Sequence, residues 1–223
     1  MSKRILIATT SHAEKGHTGQ KTGAYLPEVA HPWDVFTKAG YTVEFASVKG
    51  GPVPLDGVDD PDEISRAFVG GAALAALHAS QKSDTVDPSR YDAIFFAGGH
   101  GTMWDLPGDP GFTALTARIF ERGGVVAAVC HGPAALVEVK LSNGEYLVAG
   151  KDVSAFTNEE EEAVGLTKVV PFLLEDRLKA RGARFVGAPK WRSQVVVSGR
   201  LVTGQNPASA AAVARSVVQV LAG

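Results

Sequence analysis

The stretch that decides the fold runs Val125-Val126-Ala127-Ala128-Val129-Cys130-His131-Gly132-Pro133-Ala134-Ala135-Leu136. Five apolar residues in a row read as a strand buried on both faces, and the segment after Gly132 reads as the start of a helix. The single cysteine of the chain stands at the junction. Ala128 lies two residues before it and Gly132 two after, the small-x-nucleophile-x-small spacing of a nucleophile elbow with cysteine as the nucleophile. Small residues belong there because a tight strand-to-helix turn brings neighbouring backbones close together. Pro133 suits a first helical turn, where a missing N–H leaves nothing unpaired. A cysteine at a helix N-terminus, with His131 beside it, is expected to titrate below the ordinary thiol value of about 8.5, and the thiolate is the reactive form. A lone cysteine is most often a small buried hydrophobe, but the elbow context outweighs that reading.

On either side, short apolar runs alternate with helix-like segments. Arg4 to Thr9 and Thr42 to Ser47 read as strands, and Leu26 to Ala39 between them has helical spacing, with Pro27 in its first turn and Gly40 just past its end. Tyr91 to Ala97 is a third strand and Val125 to Val129 a fourth. Near the end, 194–197 and 201–203 flank Ser198-Gly199-Arg200 as a hairpin, after which Asn206 as N-cap and Pro207 open an Ala/Val-rich helix. Strands bounded by helices in this order predict an α/β fold: a doubly wound sandwich with a mostly parallel sheet and helices on both faces. Sites in such sheets lie beyond the carboxyl ends of strands. Gly98-Gly99-His100-Gly101 follows the third strand at such an end, and its glycines let backbone N–H groups come close to a ligand. Gly98, Gly99 and His100 are therefore candidate substrate-binding or oxyanion positions beside the His131 N–H.

Composition narrows the function. In 223 residues, 22 Lys and Arg against 24 Asp and Glu leave a net charge of −2, with no basic surplus to neutralise phosphates. No apolar run reaches the roughly 18 residues of a membrane span, and the N-terminal apolar segment is too short for a secretory signal. One cysteine allows no internal disulfide. The expectation is one domain over 1–223, cytoplasmic, with no nucleic-acid or membrane partner. His12, His17 and His31 show no tight ligand spacing, so no metal is expected there. Trp33, Trp104 and Trp191 read as core or interface residues. His100 and Asp105 either line a pocket mouth or cap turns.

The elbow Ala128-Val129-Cys130-His131-Gly132-Pro133-Ala134, with Phe96-Ala97-Gly98-Gly99-His100-Gly101-Thr102-Met103-Trp104-Asp105-Leu106-Pro107 upstream, resembles the ThiJ/PfpI superfamily. More narrowly, it resembles the branch of glutathione-independent glyoxalases (glyoxalase III type) and stress chaperones, whose domain is class I glutamine amidotransferase-like. The resemblance extends through Leu26-Pro27-Glu28 and Thr157 to Glu162, and on to Thr203-Gly204-Gln205-Asn206-Pro207. It implies a flavodoxin-like sandwich, a nucleophile at Cys130, an adjacent histidine at His131, and a glutamate hydrogen-bonded to the cysteine at Glu28. By position alone Glu28 is an N-terminal surface acid of its helix. The branch also implies an acidic residue that orients the histidine. Glu159 to Glu162 leave its position open, five past Phe156 gives Glu161, and at least three of the four are expected on a solvated face.

The implied function is conversion of small 2-oxoaldehydes such as methylglyoxal to 2-hydroxy acids (lactate), without glutathione, metal or other cofactor. Cys130 would form a hemithioacetal, Glu28 and His131 would move protons, and Gly99 and His131 N–H groups would stabilise the oxyanion. A stress chaperone or redox sensor remains open, its apolar patch sought in Leu74 to Ala79. So does a cysteine peptidase or amidase, while a glutamine amidotransferase would lack its synthetase domain. Assembly into a homodimer is left open.

Overall fold

The computed structural model describes residues 2–223. Its strands are β1 (Arg4–Thr9), β2 (Ala24–Tyr25), β3 (Thr42–Ser47), β4 (Leu55–Asp56), β5 (Gln81–Lys82), β6 (Ala93–Phe96), β7 (Val125–Val129), β8 (Asp152–Val153), β9 (Arg184–Phe185), β10 (Val195–Ser198) and β11 (Leu201–Gly204). Seven of them form one sheet in the order β10-β11-β7-β6-β1-β3-β5, and every pairing in it is parallel except that of β10 with β11. The helices are α1 (Leu26–Lys38), α2 (Glu63–Val69), α3 (Ala72–His78), α4 (Thr102–Asp105), α5 (Pro110–Glu121), α6 (Asn158–Ala163), α7 (Leu174–Ala180) and α8 (Ala210–Ala222).

The two-residue period of the strands assigns the layers. Leu6, Ala8, Ile94, Phe96, Val126 and Ala128 point to one face, where Phe112, Leu115 and Ile119 of α5 and Leu174 and Leu178 of α7 cover them. Ile5, Ile7, Phe95, Ala127 and Val129 point to the other, under Val29 and Phe36 of α1 and Val213 and Val217 of α8. With both faces covered, the central strands carry no polar alternation, and all five residues of β7 are buried. This is the expected α/β sandwich. Among the described residues no helix is long and apolar enough to cross a membrane.

Three local expectations are corrected. The segment after the elbow is a five-residue 3-10 turn, Gly132–Leu136, rather than an α-helix. Asn206 does not cap the last helix. A 3-10 turn at Pro207–Ser209 intervenes before α8, and the Asn206 amide goes instead to Glu160 Oε1 and the Arg192 carbonyl, both at 2.8 Å. In α3, Ala73 and Leu77 face the core and Leu74 is half-buried, so the apolar patch sought at Leu74 to Ala79 reduces to the exposed alanines Ala75, Ala76 and Ala79. The two-stranded pairs β2–β4 and β8–β9 had no signal in the sequence. The parallel order sends the carboxyl ends of β1, β6, β7 and β11 to one edge, where Gly98, Cys130 and Gln205 meet.

Candidate active site

Cys130 leaves β7 with φ of +59°, a left-handed conformation that costs a non-glycine residue on the order of 1–3 kcal/mol. Two hydrogen bonds hold it there: its N–H donates to the Gly204 carbonyl and its carbonyl accepts from the Phe156 N–H, each at 2.9 Å. Gly132 is required by close approach, since a Cβ there would lie 2.3 Å from the Phe96 carbonyl oxygen. The result is a thiol only 4% exposed. Burial pushes that thiol up, as does the neighbouring Glu28 carboxyl, while the N–H groups of His131 and Gly99, which point at the sulfur, pull it down. The low thiol pKa expected from a helix N-terminus is therefore corrected. The turn is too short to supply the dipole, and desolvation dominates.

His131 is fully buried, with Nδ1 3.4 Å from Cys130 Sγ and Nε2 2.8 Å from Glu161 Oε2. Burial lowers the imidazole, His100 lowers it further, and against the pull of Glu161 it settles at about 4. Burial alone would raise Glu161, but hydrogen bonds from His100 and His131 outweigh it and hold the carboxyl at about 2. At neutral pH an ionised Glu161 thus accepts the Nε2–H of a neutral His131, which leaves Nδ1 as an acceptor facing the thiol. Glu161 Oε1 takes His100 Nε2 at 2.9 Å. His100, His131 and Glu161 are also the described residues whose potential metal-ligand atoms lie together, within 4.8 Å. The two imidazole–carboxylate hydrogen bonds already account for that spacing.

Glu28 approaches from the other side. It sits in the first turn of α1 and is completely buried. Its Oε2 accepts the Gly98 N–H at 2.8 Å, and among the described residues Oε1 has no hydrogen-bond partner. Burial pushes its carboxyl up to about 8, against the opposing pull of the Cys130 thiol and the Gly98 N–H. Glu28 is therefore protonated at neutral pH. With Oε2 engaged as an acceptor, the proton belongs on Oε1.

The structure brings Cys130, His131, Glu28, Glu161, Gly99 and His100 to one place. Gly98 is there in a different capacity from the one expected, because its N–H is spent on Glu28. Asp105 caps the start of the β1 loop, accepting from Thr10 Oγ1 at 2.6 Å and the Ser11 N–H at 2.7 Å. Trp104 stacks on His12, and His31 bonds Asp62, so the N-terminal histidines do not converge. Of the four glutamates only Glu159 and Glu162 are exposed, one fewer than expected. Glu160 is buried, with five donors: the N–H and Oγ1 of Thr157, the Trp191 N–H, Gln205 Nε2 and Asn206 Nδ2. The Thr157–Glu160 pair forms a capping box that starts α6 and so positions Glu161.

These groups open into a cavity of about 180 Å³, walled also by Tyr25, Asp56, Phe156, Val164, Trp191 and Pro207. It lies below the roughly 300–1,000 Å³ of pockets for drug-sized ligands, and suits a molecule of a few heavy atoms. Phe156 lies 4.3 Å from the His131 ring and 6.0 Å from that of Trp191. The sequence offered no sign of Phe156 or Trp191 as site residues beyond their being aromatic.

Residues 21–220 match the family model described as DJ-1/PfpI family. The protein named Glyoxalase 3 of Candida albicans is 33% identical, covering 96% of this chain and 97% of its own length. Glutathione-independent glyoxalase HSP31 of Saccharomyces cerevisiae is 34% identical, with 93% of each chain covered. Among solved structures, the Rapid Encystment Protein of Francisella tularensis superposes with a TM-score of 0.95 at 39% identity, covering 98% of this chain and 99% of that one. Glyoxalase III from Candida albicans superposes with a TM-score of 0.92 at 31% identity, covering 98% and 97%.

Proposed function

The chain belongs to the DJ-1/PfpI family, and from that premise and the geometry at Cys130 we propose that it is a glutathione-independent glyoxalase, converting methylglyoxal or a related 2-oxoaldehyde to the 2-hydroxy acid. The observation that carries the reading is a thiol set between a neutral imidazole and a protonated carboxyl, in a cavity sized for a few heavy atoms.

The chemistry follows from those protonation states. The Cys130 thiol gives its proton to His131 Nδ1 and its sulfur adds to the aldehyde carbon. The Gly99 and His131 N–H groups meet the oxygen as it gains charge, and the proton passes to that oxygen to give a hemithioacetal. His131 Nδ1 then removes the C–H proton of the former aldehyde carbon while Glu28 Oε1–H protonates the ketone oxygen, forming an enediol. The enediol hydroxyl on the sulfur-bearing carbon returns a proton to Glu28, and His131 delivers its proton to the neighbouring carbon. The product is a 2-hydroxy thioester, and water hydrolyses it to the acid and the free thiol. Glu161, ionised throughout, keeps His131 in the tautomer this sequence needs.

The reading carries with it one DJ-1/PfpI-type domain over 1–223, a cytoplasmic location, a diffusible substrate with neither glutathione nor metal, and a homodimer as the assembly to test by analytical ultracentrifugation. The deciding assay incubates purified protein with methylglyoxal in the absence of glutathione and measures lactate. Absence of lactate from the wild type would sink the proposal.

A further inference from the structure

His131, Phe156 and Trp191 form a continuous aromatic series that runs from full burial to the surface, with Trp191 48% exposed. Trp191 therefore lies at the open end of the cavity. Among the described residues only four large apolar side chains are exposed, and two of them, Trp191 and Val164, line this mouth.

Its backbone is held as well. Trp191 has φ of +65°, one of two positive values outside glycine among the described residues, the other being Cys130. A bulky residue stays in that conformation only when its surroundings enforce it. Here the Trp191 N–H donates to buried Glu160 Oε1 at 2.9 Å, and the Arg192 carbonyl accepts from Asn206. Gln205 brackets Ala188 through both amide atoms, accepting its N–H at 2.7 Å and donating to its carbonyl at 3.1 Å. Glu160 is thus a buried carboxyl group with hydrogen-bond donors on both oxygens, tying the Trp191 loop to the helix that carries Glu161.

We propose that Trp191, fixed at the cavity mouth by the Glu160 network, is the specificity-determining residue of the site and limits the group attached to the reacting carbonyls to a short aliphatic one. The inference rests on the glyoxalase reading for the identity of the substrate but not for the existence of the barrier. The indole and Phe156 give a methyl group an apolar seat, while a phenyl or longer chain meets the indole.

Two measurements on the wild type, Trp191→Gly and Trp191→Phe test it. Glycine suits the positive φ, so the fold should survive, and circular dichroism checks this. The first measurement is the alkylation rate of Cys130 with iodoacetamide against the bulkier N-phenylmaleimide, which needs no turnover. The second is kcat/KM for methylglyoxal against phenylglyoxal. Trp191→Gly should shift both ratios toward the bulky reagent by roughly tenfold or more, the scale of pocket-size discrimination, with Trp191→Phe in between. Unchanged alkylation ratios in a folded variant would overturn the barrier. A changed alkylation ratio with an unchanged aldehyde ratio would overturn its role in specificity. A wild type that turns over no aldehyde would remove the glyoxalase reading, and the alkylation ratio would still decide whether Trp191 limits access.

Discussion

Two carboxyls reach the Cys130–His131 pair from opposite sides, Glu28 from the first turn of α1 and Glu161 from α6, and both are buried. One is pushed up to about 8 and the other is held at about 2. Burial acts on both in the same direction, so it cannot separate them. The donors do. Glu28 receives one backbone N–H and faces a thiol, whereas Glu161 receives an imidazole on each oxygen. Two like groups in one small site are thereby given opposite protonation states, which is how a fold assigns an acid and an anionic anchor from the same residue type.

The sharpest way to break the comparison is to remove the group between the two carboxyls. Cys130→Ser should bring lactate formation to background at every pH, because a serine hydroxyl at this position is a far weaker nucleophile than the thiol. Substantial lactate from this variant would mean that neither carboxyl serves a covalent path. The next largest effect belongs to the acid. Gln at position 28 keeps the Gly98 hydrogen bond and the shape but cannot deliver a proton, so Glu28→Gln should lose roughly 10²–10⁴-fold in kcat. Iodoacetamide should still label Cys130 in that variant. Near-wild-type turnover would return Glu28 to a structural part in the Gly98 loop.

How far the sequence shows this depends on how local the determinant is. β1, β6 and β7 are legible because strands buried on both faces must be uniformly apolar, and the elbow because tight packing dictates Ala128 and Gly132. Glu28 is not legible from its own surroundings, since a carboxylate in a first helical turn is the ordinary surface case. Only the family resemblance marked it, and only the fold shows that Gly98 closes over it. Glu160 misled for a similar reason. A run of four acids looks solvated, but adjacent helical positions differ by about 100°, so a helix lodged in a corner can bury two of them. Asn206 followed the same logic in reverse: a sound capping signal lost its side chain to a buried carboxyl oxygen 46 residues away.

The anchor should matter less than the acid. Both oxygens of Glu161 accept an N–H, so Glu161→Gln turns an amide NH₂ toward one imidazole N–H. Where His131 is the one displaced, its proton moves to Nδ1 and the ring can no longer accept from the thiol. Packing against Phe156 still holds the ring in place, so the expected loss is roughly 10²-fold in kcat, the low end for acid–base catalysis, with KM little changed. Nitrogen-15 chemical shifts of His131 would report the tautomer. A variant with wild-type kcat and the Nε2–H tautomer would show that Glu161 is dispensable for orientation.

The mildest effect is on stability, and the comparison of wild type with Glu28→Gln isolates the part that Glu28 plays. Its folded pKa, about 8, lies above the value of 4.5 for a free carboxyl. Below the lower value both folded and unfolded states hold the proton, and Glu28 adds no pH dependence. Between the two values the unfolded chain releases the proton while the folded one keeps it, so stability falls as pH rises, by about 1.4 kcal/mol per pH unit for one proton. Glutamine does not titrate. His131, pushed down to about 4, gives a trend of opposite sign below its ordinary value of 6.5, and Glu161 acts only at still lower pH, but both are shared by the two proteins and cancel in the difference. Glu28→Gln should therefore be more stable than the wild type by a margin that widens from pH 5 to pH 8. Between pH 6 and pH 7 the Tm gap should grow by roughly 3–6 °C, as expected for about 1.4 kcal/mol in a chain of this size. Parallel Tm profiles across that range would mean that Glu28 is ionised in the folded protein, and the contrast between the two carboxyls would be lost.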